Sequence, residues 1–327
     1  MTDAPANTLN LLADIGGTNT RVALARGAEL LPDTIRRFRN ADHDSLDSVL
    51  GAYLQSEGRP DCAGACVAVA GPVRDGEARL TNLDWTISKT SLARAARAEV
   101  VAVLNDLQAQ GYALGYLPDE AVIPIHTGTP APGARMLVVG IGTGFNCAPV
   151  HTGTDTRHVP PAEAGHVSLP IRTAEERDLA DYLDRSYGFA SVEEVLSGRG
   201  LGQLQSWLAK RQGDPRDMDS AAVLAGAEAG DAHALEVLTM FVRLLGRVTG
   251  DLALMHLPYG GIFLVGGMSN AVAPWLPRLG FAETLADKGR FSNLSNSFPV
   301  SVVSDDCAAL IGCAHHLSPL LQKSGTV

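Results

Sequence analysis

No run of apolar residues in the 327-residue chain approaches the roughly 20 that a bilayer-spanning helix needs. The opening "MTDAPANTLN" has neither a basic leading region nor a long apolar one, so no secretory signal is expected. A basic surplus is also missing: 26 Lys and Arg stand against 36 Asp and Glu, a net charge of −10. Without spare cations to displace counterions, neither nucleic acid nor an anionic membrane is an expected partner. An anionic substrate must then be held by local devices, such as backbone N–H groups or a divalent cation. Cysteine is scarce and scattered at Cys62, Cys66, Cys147, Cys307 and Cys313. No pair has zinc spacing, so these read as free thiols of a reducing cytoplasm. No Gly-Lys-Ser/Thr sequence occurs, which excludes a P-loop.

What is present is a globular composition, 46% hydrophobic and 19% charged, on a length that favours two domains. "LLADIGGTNTRVALA" (11–25) sets a glycine pair between two apolar runs. A Rossmann turn leads into a helix, whereas this one leads into a second strand, so a β-hairpin with a tight glycine turn is expected. Arg21 reads as a charge on the strand surface. A helix in "SLDSVLGAYLQSE", strands in "AGACVAVAG" and "VVAVLND", and a helix in "SLARAARA" continue an α/β pattern. Strand, glycine turn, strand then recurs in "MLVVGIGTGFNCAPV" (136–150), which points to a duplicated α/β design. In the helical middle, Leu235, Leu238, Val242, Leu245 and Leu252 share one face behind Asp231 as N-cap. "IFLV" reads as a buried strand before a third glycine turn, "GGMSN".

In this order the three glycine motifs resemble the sugar-kinase, actin and heat-shock-chaperone superfamily. The chain is more closely similar to the bacterial ATP-dependent glucokinases: "DIGGTNTR" matches their first phosphate motif, "GIGTGFN" the second and "GGIFLVGGMSN" the adenosine motif. "LTNLDW", "LNDLQAQGYAL", "EAGHVSL", "SVEEVLSGRGL" and "DKGRF" match further segments. The departures are Asn-Asp-Leu for Asn-Asp-Phe, Ala162 and Ala164 in place of glycines around Glu163, and Phe145-Asn146 for a smaller pair. No cysteine follows His166, which disfavours the zinc-binding sister branch.

The resemblance implies a two-domain actin-like ATPase fold, α/β and ribonuclease H-like, with a cleft between domains. Residues 1–111 plus 304–327 would form the small domain and 112–303 the large one. It implies phosphorylation of D-glucose by ATP with Mg²⁺, in a cytoplasmic homodimer. The alternatives are a kinase for fructose or mannose, and a non-enzymatic nucleotide switch.

Asp106, at the end of "VVAVL", is then the catalytic base; read alone, it is equally an N-cap for the helix beginning "LQAQ". Asn82, Asn105, Glu163, His166 and Glu193 would bind the sugar with it. Pro160, Pro161 and Gly165 interrupt any helix that would turn Glu163-x-x-His166 into a metal site. His166 alone also reads as a surface-loop histidine. Glu193 alone reads as a first-turn acid of a helix capped by Ser191. Asp14, Ile15, Gly16, Gly17, Thr18 and Asn19, with Gly142, Thr143 and Gly144, would approach the ATP phosphates, where glycine lets amides come close. Asp14 would orient Mg²⁺ through water, or else simply form the turn. Gly266 and Gly267 would flank the adenosine.

Overall fold

A computed structural model describes residues 9–80, 83–153, 157–214 and 216–324. The chain divides into two compact units. The first comprises residues up to Pro118, Gly153–Pro161 and the segment from Asp305. The second comprises Asp119–Thr152 and Ala162–Ser304.

In the first unit the sheet order is Glu29–Leu30, Asn19–Arg26, Leu9–Ile15, Gly64–Val69 and Val100–Asn105, with Arg36–Arg39 also pairing Asn19–Arg26. Leu9–Ile15 and Asn19–Arg26 form the antiparallel hairpin that the glycine pair announces. Leu9–Ile15, Gly64–Val69 and Val100–Asn105 run parallel. Alternation along a strand sends successive side chains to opposite faces. Leu11, Ala13 and Ile15 thus enter one core with Leu46, Val49, Leu50 and Tyr53 of the helix Leu46–Ser56 and Leu92 of the helix Lys89–Ala96. The C-terminal helix Ala308–Ser324 packs on the strands and on the helix Asp106–Ala113.

The second unit repeats the scheme. Its sheet runs Val122–His126, Val300–Val303, Gly261–Val265, Met136–Ile141 and Phe145–Thr152. The last two strands form an antiparallel hairpin, and Met136–Ile141 runs parallel to Gly261–Val265. Asp231 caps the helix Ala232–His256 by accepting the Ala234 amide. Its buried Leu238, Val242, Leu245 and Leu252 join the core, with Leu235 packed against it. The third glycine pair differs from a plain turn: Gly267 opens the helix Gly267–Val272, with Gly266 as its N-cap.

Candidate active site

In the first unit the parallel strands end in register, Ile15 beside Val69 and Val69 beside Asn105. The turn after Ile15 and the helix after Asn105 therefore leave the same sheet edge. This carboxyl edge is where open α/β sheets place ligands. Ile15 itself is core, its carbonyl accepting the Ala70 amide at 3.0 Å. The turn closes with the Gly16 amide donating to Asn19 O at 3.0 Å, leaving Gly17 and Thr18 exposed.

Asp14 stands opposite Arg21 in the hairpin and ion-pairs with it at 3.4 Å. Arg21 also reaches Asp306 at 3.3 Å, so it bridges two carboxylates rather than sitting bare on the strand. Burial still dominates at Asp14 and raises its carboxyl above the usual range, against the pull of Arg21.

Asp106 begins the helix Asp106–Ala113 but does not cap it. Asn105 is the cap: its Oδ1 accepts the Leu107 amide at 3.0 Å, and Gln108 Oε1 returns to the Asn105 amide at 3.2 Å. The Nδ2 of Asn105 donates to Gly71 O at 2.9 Å, so protein groups engage both ends of its amide. Gln108 Nε2 donates to Val159 O at 2.7 Å, tying the helix to a segment distant in sequence. Burial pushes the Asp106 carboxyl up to about 6; the Asp14 charge adds to this and the Leu107 amide opposes it. A carboxylate near 6 is suited to accept a proton at neutral pH.

In the second unit the Gly142 amide closes its turn on Gly144 O at 2.9 Å, and Gly142 O accepts the Gly198 amide at 2.8 Å. That seats the start of the helix Gly198–Gln212, capped by Ser197, against the second glycine turn. Thr143 is exposed at the tip. Gly266, at φ +99°, packs against Ile141 O, where a Cβ would come within 2.6 Å. The second glycine turn, the Gly198 helix start and the Gly266-Gly267 pair therefore converge.

Glu193 Oε2 accepts the Phe145 amide at 2.9 Å, and Oε1 pairs with Arg199 at 3.0 Å. Glu193 is not a first-turn acid. It lies in turns after an isolated bridge at Ser191, and the helix starts only at Gly198. Its amide donates to Gly165 O at 2.9 Å. Gly165 is buried against Phe145 O, where any Cβ would collide. Glu163 and His166 flank it, exposed, around the 3-10 turn Ala164–His166. Asn146 holds this loop, accepting the Ala164 amide at 2.9 Å and donating to Ala162 O. Among the described residues, no three or more His, Cys, Asp or Glu cluster as a metal-binding group.

The first unit thus assembles Asp14, Gly16, Gly17, Thr18, Asn19, Asn105 and Asp106, and the second Gly142–Gly144, Glu163, His166, Glu193, Gly266 and Gly267. Asn82 lies outside the described residues. Gln108, Ser197, Gly198 and Arg199, which no motif marks as site residues, hold these groups in place, as does Asn146. "SVEEVLSGRGL" does carry a Ser-Gly cap signal that marks the Gly198 helix start.

Two α/β units, each holding a glycine-turned hairpin beside parallel strands, define the two-domain actin-like ATPase fold of the sugar kinases. A glucokinase from Chromohalobacter salexigens is 36% identical over 310 residues, 94% of this chain and 97% of its own. The crystal structure of a glucokinase from an Antarctic psychrotroph superposes with a TM-score of 0.86 at 32% identity, covering 95% of this chain and 98% of its own. A glucokinase of the ROK family from Streptomyces griseus, solved with glucose and AMPPNP, shares the fold at a TM-score of 0.62 and 18% identity, covering 94% of this chain and 98% of its own. The glucokinase family model matches residues 11–320, and the chain belongs to the glucokinase family.

Proposed function

We propose that this chain transfers the γ-phosphoryl group of ATP to the 6-hydroxyl of D-glucose, giving glucose 6-phosphate and ADP. The observation that carries the reading is Asp106: a carboxylate raised to about 6, at the sheet edge it shares with an exposed glycine turn. Phosphoryl transfer leaves a protein little covalent work beyond aligning the groups and neutralising charge. A primary alcohol is a poor nucleophile until its proton is accepted. Asp106 takes that proton as the O–P bond forms and the bond to the ADP oxygen breaks. The exposed amides around Gly17 and Thr143 meet the phosphates, and Gly266 and Gly267 flank the adenosine. Asn105, Glu163, His166 and Glu193 address the sugar hydroxyls, with Asn82 in the same set.

The residues present fit a Mg²⁺ ion that arrives with the nucleotide. Asp14 and Asp106 are neighbouring carboxylates that burial holds above their usual range, a setting that a divalent cation relieves. Mg²⁺ keeps most of its shell as water and phosphate oxygen, so one protein carboxylate, Asp14 acting through water, suffices. Bound there, the ion supplies charge neutralisation to the phosphates.

The protein works in the cytoplasm as a homodimer in this reading; no helix among the described residues is long and apolar enough to cross a membrane. A coupled assay across a hexose panel tests the substrate. Polar groups aimed at individual hydroxyls penalise analogues that leave one unpaired. Glucose is expected to exceed fructose, mannose and galactose in kcat/KM, and equal turnover of fructose would remove the glucose assignment.

A further inference from the structure

Asn40 lies 24 positions from the first glycine turn in sequence, yet it is bonded into that turn and only 1% exposed. Its Nδ2 donates to Gly16 O at 2.8 Å, its backbone amide donates to Thr18 O at 2.9 Å, and its Oδ1 accepts the Thr20 hydroxyl at 2.8 Å. The amide orientation follows from chemistry. Gly16 O can only accept, so the nitrogen must face it, and the oxygen is left for Thr20.

In a trans peptide the carbonyl of one residue and the N–H of the next point to opposite sides. Holding Gly16 O toward Asn40 therefore turns the Gly17 N–H away from the protein. Gly17 is exposed and its N–H has no partner among the described residues. Nothing within the turn itself fixes this peptide plane, since the turn closes through Gly16 N–H and Asn19 O. A glycine pair without such a brace can rotate the plane, because no Cβ restricts it.

We infer that Asn40 is a positioning residue for phosphoryl donor binding: it orients the Gly17 amide toward the terminal phosphates of the nucleotide. The inference rests on the phosphate reading of this turn given above. It extends that reading to a residue outside every glycine motif, brought in by the strand Arg36–Arg39 pairing with Asn19–Arg26.

The test separates orientation from mere stability. Asn40→Ala is expected to weaken ATP binding, measured by calorimetry and as KM, by about ten- to hundredfold, the value of a hydrogen bond to a charged group. Glucose binding without nucleotide stays unchanged. Thr20→Val removes the other member of the same buried network but leaves Asn40 Nδ2 on Gly16 O. It is expected to lower the Tm while keeping ATP affinity. If both variants weaken ATP equally, or if Asn40→Ala leaves ATP affinity intact, the inference is overturned. Should Asn40→Ala not fold, Asn40→Asp serves instead: it keeps an oxygen for Thr20 but turns another toward Gly16 O, and it must weaken ATP in the same way. Gly17→Pro, which deletes the N–H, distinguishes the two levels. If it weakens ATP and Asn40→Ala does not, only the role of Asn40 fails. If neither does, the phosphate reading of the turn fails with it.

Discussion

Gly312 of the C-terminal helix lies directly against the carbonyl of Ala109, on the helix that Asp106 begins; a Cβ at Gly312 would run into that oxygen. A helical glycine ordinarily costs stability relative to alanine, so its presence here reflects the close approach of two helices. Gly312→Ala is expected to destabilise the protein by about 1–3 kcal/mol through overpacking against backbone. It should also lower kcat, because the helix that moves carries Asp106. Urea denaturation and steady-state kinetics check both effects; an unchanged denaturation midpoint would contradict the packing.

Asp106→Asn separates catalysis from stability. Burial raises this carboxyl from 3.8 to about 6, so folding favours its protonated form. That contribution is whole below 3.8 and is lost as pH rises through about 6. Above that range the buried charge costs on the order of 3 kcal/mol. Asparagine removes the charge and keeps an oxygen for the Leu107 amide. The variant should lose at least about 10²-fold in kcat, yet be more stable than the parent at pH 8 and equal to it near pH 3. Near-normal turnover would eliminate Asp106 as the base.

The kcat/KM profile should show an acid limb with its inflection near the Asp106 value of about 6. Part of that elevation comes from the charge of Asp14, so Asp14→Asn should move the inflection of the residual activity to lower pH. An inflection in the ordinary carboxylate range for the parent, or one that Asp14→Asn leaves in place, would disconnect the two residues.

Gly165→Ala probes the loop proposed to meet the sugar. The new methyl would meet Phe145 O and push away the turn that places Glu163 and His166. Glucose KM is expected to rise while ATP affinity holds, since the Gly142 turn and the Gly266-Gly267 pair keep their own contacts. A parallel loss of ATP affinity would mean that the loop is a general support of the second unit.

Much of this was readable along the chain because its signals are local. A glycine turn followed at once by a second strand-like run specifies a hairpin, and both such hairpins form where the pattern puts them; the third pair, followed by no such run, opens a helix instead. Asp231 caps its helix because the capping bond spans three residues. The carboxylate at the end of "VVAVL" falls on a strand edge for the same local reason.

The helix cap next to Asp106 was decided by tertiary structure. Asn and Asp cap equally well by type, and Asn105 takes the role because its strand pairs with Gly64–Val69 and brings its amide to Gly71 O. The surroundings of Glu193 likewise come from the fold: one carboxylate oxygen accepts the Phe145 amide, 48 positions away, while the other pairs with the nearby Arg199. Asn40 carries no motif at all, and only strand pairing sets it beneath Gly16. The sequence by itself determined the two hairpins, the Asp231 cap and the family. Tertiary structure alone decided which polar groups are already engaged and which face outward. A side chain's partners are set by what folding brings within about 3 Å, and for these residues that is chain lying dozens of positions away.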